Sequence, residues 1–221
     1  FPLPGEVSLA HRGTLFLDEL PEFPRHVLES LRQPMEDGFV TIARSRGRFS
    51  YPAQFNLVAA SNPCPCGFYG DTKRACRCSL AEISRYQKRL SGPLMDRIDI
   101  YVEVPAVPPA KLNQKVTGKT SAQIRMGVEK ARNKQRQRFL RTRLSCNAEM
   151  GSREVKKYCQ MDNQSWRMLV KASENLALSA RGFYRTIKVA QTIADLSGED
   201  RISQDHLIEA LSFRSQGFSY V

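Results

Sequence analysis

The sequence predicts an α/β protein, with a parallel-sheet core over residues 1–105, a linker at 106–120 and an α-helical domain over 121–221. Three observations lead there. Two short apolar runs, Gly13 to Asp18 and Phe55 to Ala60, have the length of buried parallel strands. Pro105, Pro108 and Pro109 then interrupt regular structure. Beyond Thr120 the apolar residues recur at helical spacing only. With 221 residues the chain is long enough for one large domain or two small ones.

Gly13-Thr-Leu-Phe-Leu-Asp18 is the first strand, ending in an acid. After Pro21 and Pro24, Val27, Leu28, Leu31 and Met35 share one helical face, predicting an amphipathic helix from His26 to Met35. Phe39 to Arg44 and Arg48 to Tyr51 flank Ser45-Arg46-Gly47, a hairpin signal with Gly47 in the turn. The run Phe55 to Ala60 is a second buried strand, stopped at Ser61-Asn62-Pro63. A helix from about Leu80 to Leu90 follows a cysteine-bearing loop. Ile98 to Val104 alternates like a third strand. Ser121 to Arg141 reads as one long basic helix, and Ser152 to Phe213 as about four shorter ones. Ser152 and Ser203 are the expected N-caps of two of them.

A net charge of +12 favours contact with a polyanion such as nucleic acid. Much of the excess lies between Lys130 and Arg143, where the simplest reading is a solvated helix face. No apolar run approaches the roughly 18 residues that cross a bilayer. The start, Phe1-Pro2-Leu3-Pro4-Gly5-Glu6, lacks the basic and apolar regions of a secretory signal. No membrane partner is therefore expected, and the expected location is cytoplasmic.

Cys64-Pro65-Cys66 and Cys76-Arg77-Cys78 place four of the six cysteines in one loop. Without a secretion signal, clustered cysteines point to metal before disulfides, and four thiolates are the ligand set of a structural Zn²⁺ site. Lys73, Arg74 and Arg77 would offset part of its negative charge. Free thiols or a redox-formed disulfide are the other readings. Cys159 falls in a helical pattern and reads as packing. His11, His26 and His206 read as surface or capping residues, and Trp166 and Phe183 as core of the helical domain.

Leu15-Phe16-Leu17-Asp18-Glu19 is the motif with the most chemical content. A buried strand carries both acids to the carboxyl edge of a parallel sheet, where α/β proteins bind ligands. In nucleotide hydrolases the first acid there helps hold Mg²⁺ and the second polarises the attacking water. Two acids entering a turn, with no further role, is the competing reading of this motif alone.

Further segments occur in a telling order. Gly13 to Phe23 resembles the Walker B strand of the magnesium-chelatase and MCM-related branch of AAA+ ATPases. Ala60-Ser61-Asn62-Pro63 resembles its sensor 1, and Ser91-Gly-Pro-Leu-Met-Asp-Arg-Ile-Asp99 its arginine-finger segment. Ser179-Ala180-Arg181-Gly-Phe-Tyr-Arg185 is similar to the sensor 2 helix of the lid. The chain as a whole resembles the ComM/YifB group of magnesium-chelatase-like proteins, tied to competence and DNA branch migration. Its most specific stretch is Asn62-Pro-Cys-Pro-Cys-Gly-Phe-Tyr-Gly70.

The resemblance implies a partial AAA+ core followed by a lid. ATP and Mg²⁺ would be bound with Asp18, Glu19 and Asn62 of one subunit and Arg97 of the next. Arg181 is the first choice for sensor 2 and Arg185 the second. The implied assembly is a homo-oligomeric ring, expected to be hexameric. In this branch a hairpin ahead of sensor 1 enters the ring's pore. Alternation along a strand then suggests that Arg44, Arg46 and Arg48 present cations together to DNA phosphates, with little sequence preference.

The phosphate-binding Gly-x-x-x-x-Gly-Lys-Ser/Thr motif does not occur in the sequence. The expectation is a C-terminal portion of such an ATPase, poorly active by itself, in which the family's first strand would lie between the sensor 1 strand and Ile98–Val104. The expected whole-protein activity is that of an ATP-driven DNA motor of the helicase or branch-migration type, serving DNA uptake and recombination. The alternative is a metal-insertion chaperone of the magnesium-chelatase type.

Overall fold

A computed structural model describes residues 2–45, 47–71, 73–108 and 118–214. The chain divides into two compact units, Phe1–Ile98 and Asp99–Gly217. The architecture is mixed α/β, with a small parallel sheet in the first unit and helices in the second.

In the first unit, β1 (Thr14–Leu17) pairs in parallel with β4 (Asn56–Ala59), in register from Thr14 with Asn56 to Leu17 with Ala59. Alternation turns Leu15 and Leu17 toward a core of Leu20, Leu28, Leu31, Leu90 and Leu94. Phe16 and Val58 remain exposed. A short helix, α1 (Glu6–Leu9), precedes β1. The single helix expected over His26 to Met35 is two, α2 (Arg25–Ser30) and α3 (Arg32–Asp37). Pro34 explains the break, because it has no N–H to donate and its ring collides with the carbonyl four residues back. It is tolerated only within the first turn of a new helix.

Gly38 closes α3 with φ 73°. A side chain there would be strained by the backbone and would approach Gln54 Cγ at 2.9 Å. The chain then enters the antiparallel hairpin of β2 (Phe39–Arg44) and β3 (Gly47–Pro52). Ser79 caps α4 (Leu80–Gln87) with a capping box: its hydroxyl accepts from Glu82 N–H, and the Glu82 carboxylate accepts from Ser79 N–H at 2.7 Å. α5 (Gly92–Met95) starts at Ser91 and anchors Leu94 in the core.

Ile98 to Val104 forms no strand. Among the described residues no strand runs beside it, so its backbone finds other partners, as where Tyr101 N–H donates to Phe213 O at 3.1 Å. Ile100, Val102 and Val104 stay exposed. Alternating apolar residues describe a strand only where a neighbour supplies the ladder.

The second unit contains α6 (Ser121–Arg138), α7 (Ser152–Tyr158), α8 (Asn163–Asn175), α9 (Ala180–Ser197) and α10 (Gln204–Ser212). Phe139, Met150, Val155, Cys159, Leu169, Ile187, Ala190, Ile193, Ile202, Leu207 and Ala210 form its core. Cys159 is a packing residue there, and burial pushes its thiol up to about 12.

Most of the basic run is solvated, as Lys130, Arg132, Arg136, Arg141 and Arg143 show. Lys134, which donates to Gly198 O at 2.6 Å and pairs with Asp200, and Arg138 are the exceptions, and Arg138 is the more buried. It donates to both carboxylate oxygens of fully buried Asp195, at 2.8 and 2.5 Å, and to Asn147 Oδ1 at 2.8 Å. Ser203 caps α10 as expected, accepting from His206 N–H, while His206 Nδ1 accepts from Ser203 N–H. His206 is therefore a capping residue, though buried rather than on the surface. For α7 the cap is Gly151 and Ser152 is already helical. Glu154 reaches back to accept from Gly151 N–H at 3.1 Å. Trp166 is 47% exposed and meets Phe183 edge to face, so it flanks the core instead of filling it.

Candidate functional site

The carboxyl edge of the β1–β4 pair gathers the two principal motifs. Ala60 N–H donates to Leu17 O and Leu20 N–H donates to Ala60 O, both at 2.9 Å. These bonds bring Asp18-Glu19 and Ser61-Asn62 out of adjacent strand ends, with both acids and the Asn62 amide exposed. Glu19 has φ 50°, the left-handed region that a side chain resists. Its N–H donates to Asp18 Oδ1 at 2.9 Å, which holds the turn in that shape. Strained residues held this way cluster at functional sites. The arrangement offers two carboxylates to a hydrated cation and an amide beside them.

The end of α4 and the residues just after it hold this edge through side chains that give no sign of it in the sequence. Gln87, buried, donates to Pro63 O at 3.1 Å, just past Asn62. Arg89 donates to Pro21 O at 3.1 Å and to Glu22 at 2.8 Å, just past Glu19. The helical period predicts which residues of α4 face inward, but it carries no sign that Gln87 at its end and Arg89 just beyond it clamp the loops after both motifs.

Arg97 follows α5 in the same unit. Its guanidinium donates to Pro93 O at 2.6 Å and to the Glu36 carboxylate of α3. The arginine is 8% exposed and the glutamate side chain 40%. Within this single chain Arg97 is thus folded against its own subunit. Glu36 had not stood out in the sequence.

The four loop cysteines converge, with all four sulfurs within 4.8 Å of one another. Cys64–Cys66, Cys64–Cys76 and Cys66–Cys76 sulfurs are 3.4, 3.7 and 3.5 Å apart. Sulfurs at about 2.3 Å from a tetrahedral Zn²⁺ lie about 3.8 Å from each other, so the cluster fits that ion with small adjustments. Backbone N–H groups of Phe68 and Arg77 hold the Cys66 thiol down at about 6. Burial, with neighbouring Cys66 and Cys64, pushes Cys78 up to about 12. The Cys66 thiolate forms easily, and Cys76 and Cys78 resist joining it until a cation offsets the charge. Arg74 lies over the Phe68 ring, 5.2 Å from its centroid, and covers the loop.

The hairpin corrects one expectation. Ala43 pairs with Arg48 and Arg44 pairs with Gly47. Paired residues share a face, so Arg48 lies on the Ala43 face and Arg44 on the opposite one. Counting by twos fails across a two-residue turn. Both arginines are exposed near the tip, and Arg46 lies outside the described residues.

In the second unit, Ser179 caps α9, so Arg181 stands in its first turn and is exposed. Arg185, one turn later, donates to Asp99 at 2.6 Å. No described helix is long and apolar enough to cross a membrane.

Comparison with known proteins bears on the family. The family described as magnesium chelatase, subunit ChlI, matches residues 1–112, and its C-terminal counterpart matches residues 118–214. Competence protein ComM of Haemophilus influenzae is 47% identical over 97% of the chain, and protein YifB of Salmonella typhimurium 44% over 97%. The chain spans 41% of the length of each of these relatives. The chloroplastic magnesium-chelatase subunit ChlI of Glycine max is 23% identical over 92% of the chain, which covers 42% of that relative.

Proposed function

This chain belongs to the magnesium chelatase ChlI family, in its ComM/YifB branch, and from that premise we propose that it is part of a ring-forming AAA+ ATPase that moves DNA. The observation that carries this reading is the edge where Asp18, Glu19 and Asn62 emerge together from hydrogen-bonded strands. In the proposed site Asp18 would hold Mg²⁺, which offsets charge on the phosphates of ATP. Glu19 orients and deprotonates the attacking water, and Asn62 contacts that water or the γ-phosphate.

A neighbouring subunit supplies Arg97, whose guanidinium meets the charge that develops during transfer. To do so, Arg97 must leave Glu36 and swing outward. Arg181, exposed at the start of α9, would link nucleotide state to the helical unit. Its rival, Arg185, one turn later, donates to Asp99.

The exposed arginines of the hairpin would contact DNA phosphates, from both faces of the ribbon instead of one. Binding of that kind is governed by structure and salt more than by sequence. The four-cysteine cluster would hold a structural Zn²⁺ that staples the loop next to Asn62. A metal-insertion role is the second reading. Its support is the family description, and the 23% identity to a chelatase subunit against 47% to a competence protein favours DNA.

The test uses full-length protein. ATP turnover stimulated by branched DNA and lost in Glu19→Gln supports the motor. Turnover that survives Glu19→Gln, or that responds to a porphyrin and not to DNA, overturns it.

A further inference from the structure

The contact between Arg97 and Glu36 joins two parts of the first unit that are far apart in sequence. Pro93 O, which also accepts from the guanidinium, belongs to α5, the element that leads into Arg97. Glu36 belongs to α3, one residue before its end. These two acceptors therefore differ in kind: Pro93 moves with the arginine, and Glu36 does not.

The end of α3 is built into the hairpin. Gly38 N–H donates to Pro34 O at 3.0 Å, and Ala53 N–H donates to Gly38 O at 2.8 Å. Phe39, the next residue, starts β2, and Pro52 ends β3 opposite it. Both strands are thus pinned to the last turn of α3. The approach of Gln54 to Gly38 leaves little space between them. Glu36 is thus two residues from the hydrogen bonds that join α3 to the base of the hairpin.

We propose that Glu36 is the positioning residue for Arg97, holding the guanidinium within its own subunit until a neighbour's triphosphate takes it, and that this exchange is what couples the neighbour's nucleotide to the hairpin. The inference rests on the arginine-finger reading above. The exchange is chemically even-handed, since carboxylate and phosphate both accept charge-assisted hydrogen bonds from a guanidinium. The pair is also accessible from outside, because the Glu36 side chain is 40% exposed while Arg97 is covered. With Arg97 on Glu36, α3 is braced and the hairpin with it. Once Arg97 has moved to phosphate, α3 loses the brace. DNA on the hairpin, pushing in the reverse direction, loosens Glu36 and frees the arginine.

The experiment compares Glu36→Gln, Glu36→Asp and Arg97→Ala in full-length rings, measuring ATP turnover with and without DNA, ring assembly and thermal melting. Glu36→Gln keeps the shape and removes the charge. A charge-assisted bond of this kind biases an equilibrium by about tenfold. DNA-free turnover is therefore expected to rise by about that factor, with the DNA stimulation ratio falling toward unity. Glu36→Asp, which keeps the charge but withdraws it, is expected to fall between.

If Arg97→Ala is inactive but Glu36→Gln leaves both rates unchanged, the latch is wrong and the finger stands. If Arg97→Ala turns over ATP normally, the finger reading fails and takes the latch with it. Should Glu36→Gln not fold, Glu36→Asp decides. A merely structural pair predicts wild-type kinetics for that variant, and the latch predicts an altered stimulation ratio.

Discussion

Replacing Asp195 by asparagine tests how the second unit is held together. Asp195 is completely buried, accepts two hydrogen bonds from Arg138, one from Asn147 Nδ2 at 2.8 Å and one from Gln191 Nε2 at 3.3 Å. The substitution keeps the shape and removes the charge, leaving Arg138 opposite an amide that can satisfy it only in part. Arginine cannot shed its proton to escape, and the Asp195 carboxylate raises its affinity for that proton further.

Breaking a buried pair from one side costs about 3–5 kcal/mol. Arg138 keeps Asn147 Oδ1, so the lower end, about 3 kcal/mol, is expected. With a urea slope of about 2 kcal/mol per molar, the midpoint should fall by about 1.5 M. Trp166, the sole tryptophan, lies in this unit, so its fluorescence reports the transition directly. A midpoint shift below about 0.3 M would refute the reasoning. The double change Arg138→Met with Asp195→Leu should recover most of the loss, since a buried pair replaced by apolar residues is often neutral.

Three further outcomes are expected. Purified protein should carry about one zinc per chain, released by a chelator and absent from Cys66→Ser, as read by elemental analysis; protein fully loaded after that change would exclude the four-sulfur site. Arg44→Ala and Arg48→Ala should each lower the slope of log affinity against log salt by about 1 in DNA-binding titrations, and to similar extents although they lie on opposite faces. Gly38→Ala should destabilise the first unit by about 1–2 kcal/mol, measured by denaturant melting, because alanine resists a φ of 73° and meets Gln54.

The sequence makes some parts of this molecule readable and hides others, for physical reasons. Gly13 to Asp18 and Phe55 to Ala60 are legible as paired strands because each is a short apolar run; the burial expected of them is only partial, since Phe16 and Val58 stay exposed. The helices of the second unit were readable from period and caps, since those signals are local. Ile98 to Val104 was misread because a strand is a property of two segments, and only one was in view. The break at Leu31 was written in Pro34 and outvoted by the apolar spacing around it. The opposite faces of Arg44 and Arg48 depend on the length of the turn between them. At the candidate site the motif residues were legible one by one. Their supports, Gln87, Arg89 and Glu36, were not, because a polar side chain gives no hint in sequence of which distant carbonyl or guanidinium it will find.

The two clamps at and just beyond the end of α4 have a consequence for how such proteins can vary. Gln87 fixes the chain at Pro63 and Arg89 fixes it at Pro21–Glu22, so the residues that hold the acidic edge all lie outside the stretch from Cys64 to Ser79. Relatives that lengthen, shorten or lose that stretch should keep the acidic edge intact. Deleting one residue from within α4 should not be tolerated, since it turns Gln87, at the helix end, by about 100° about the helix axis and displaces Arg89 behind it.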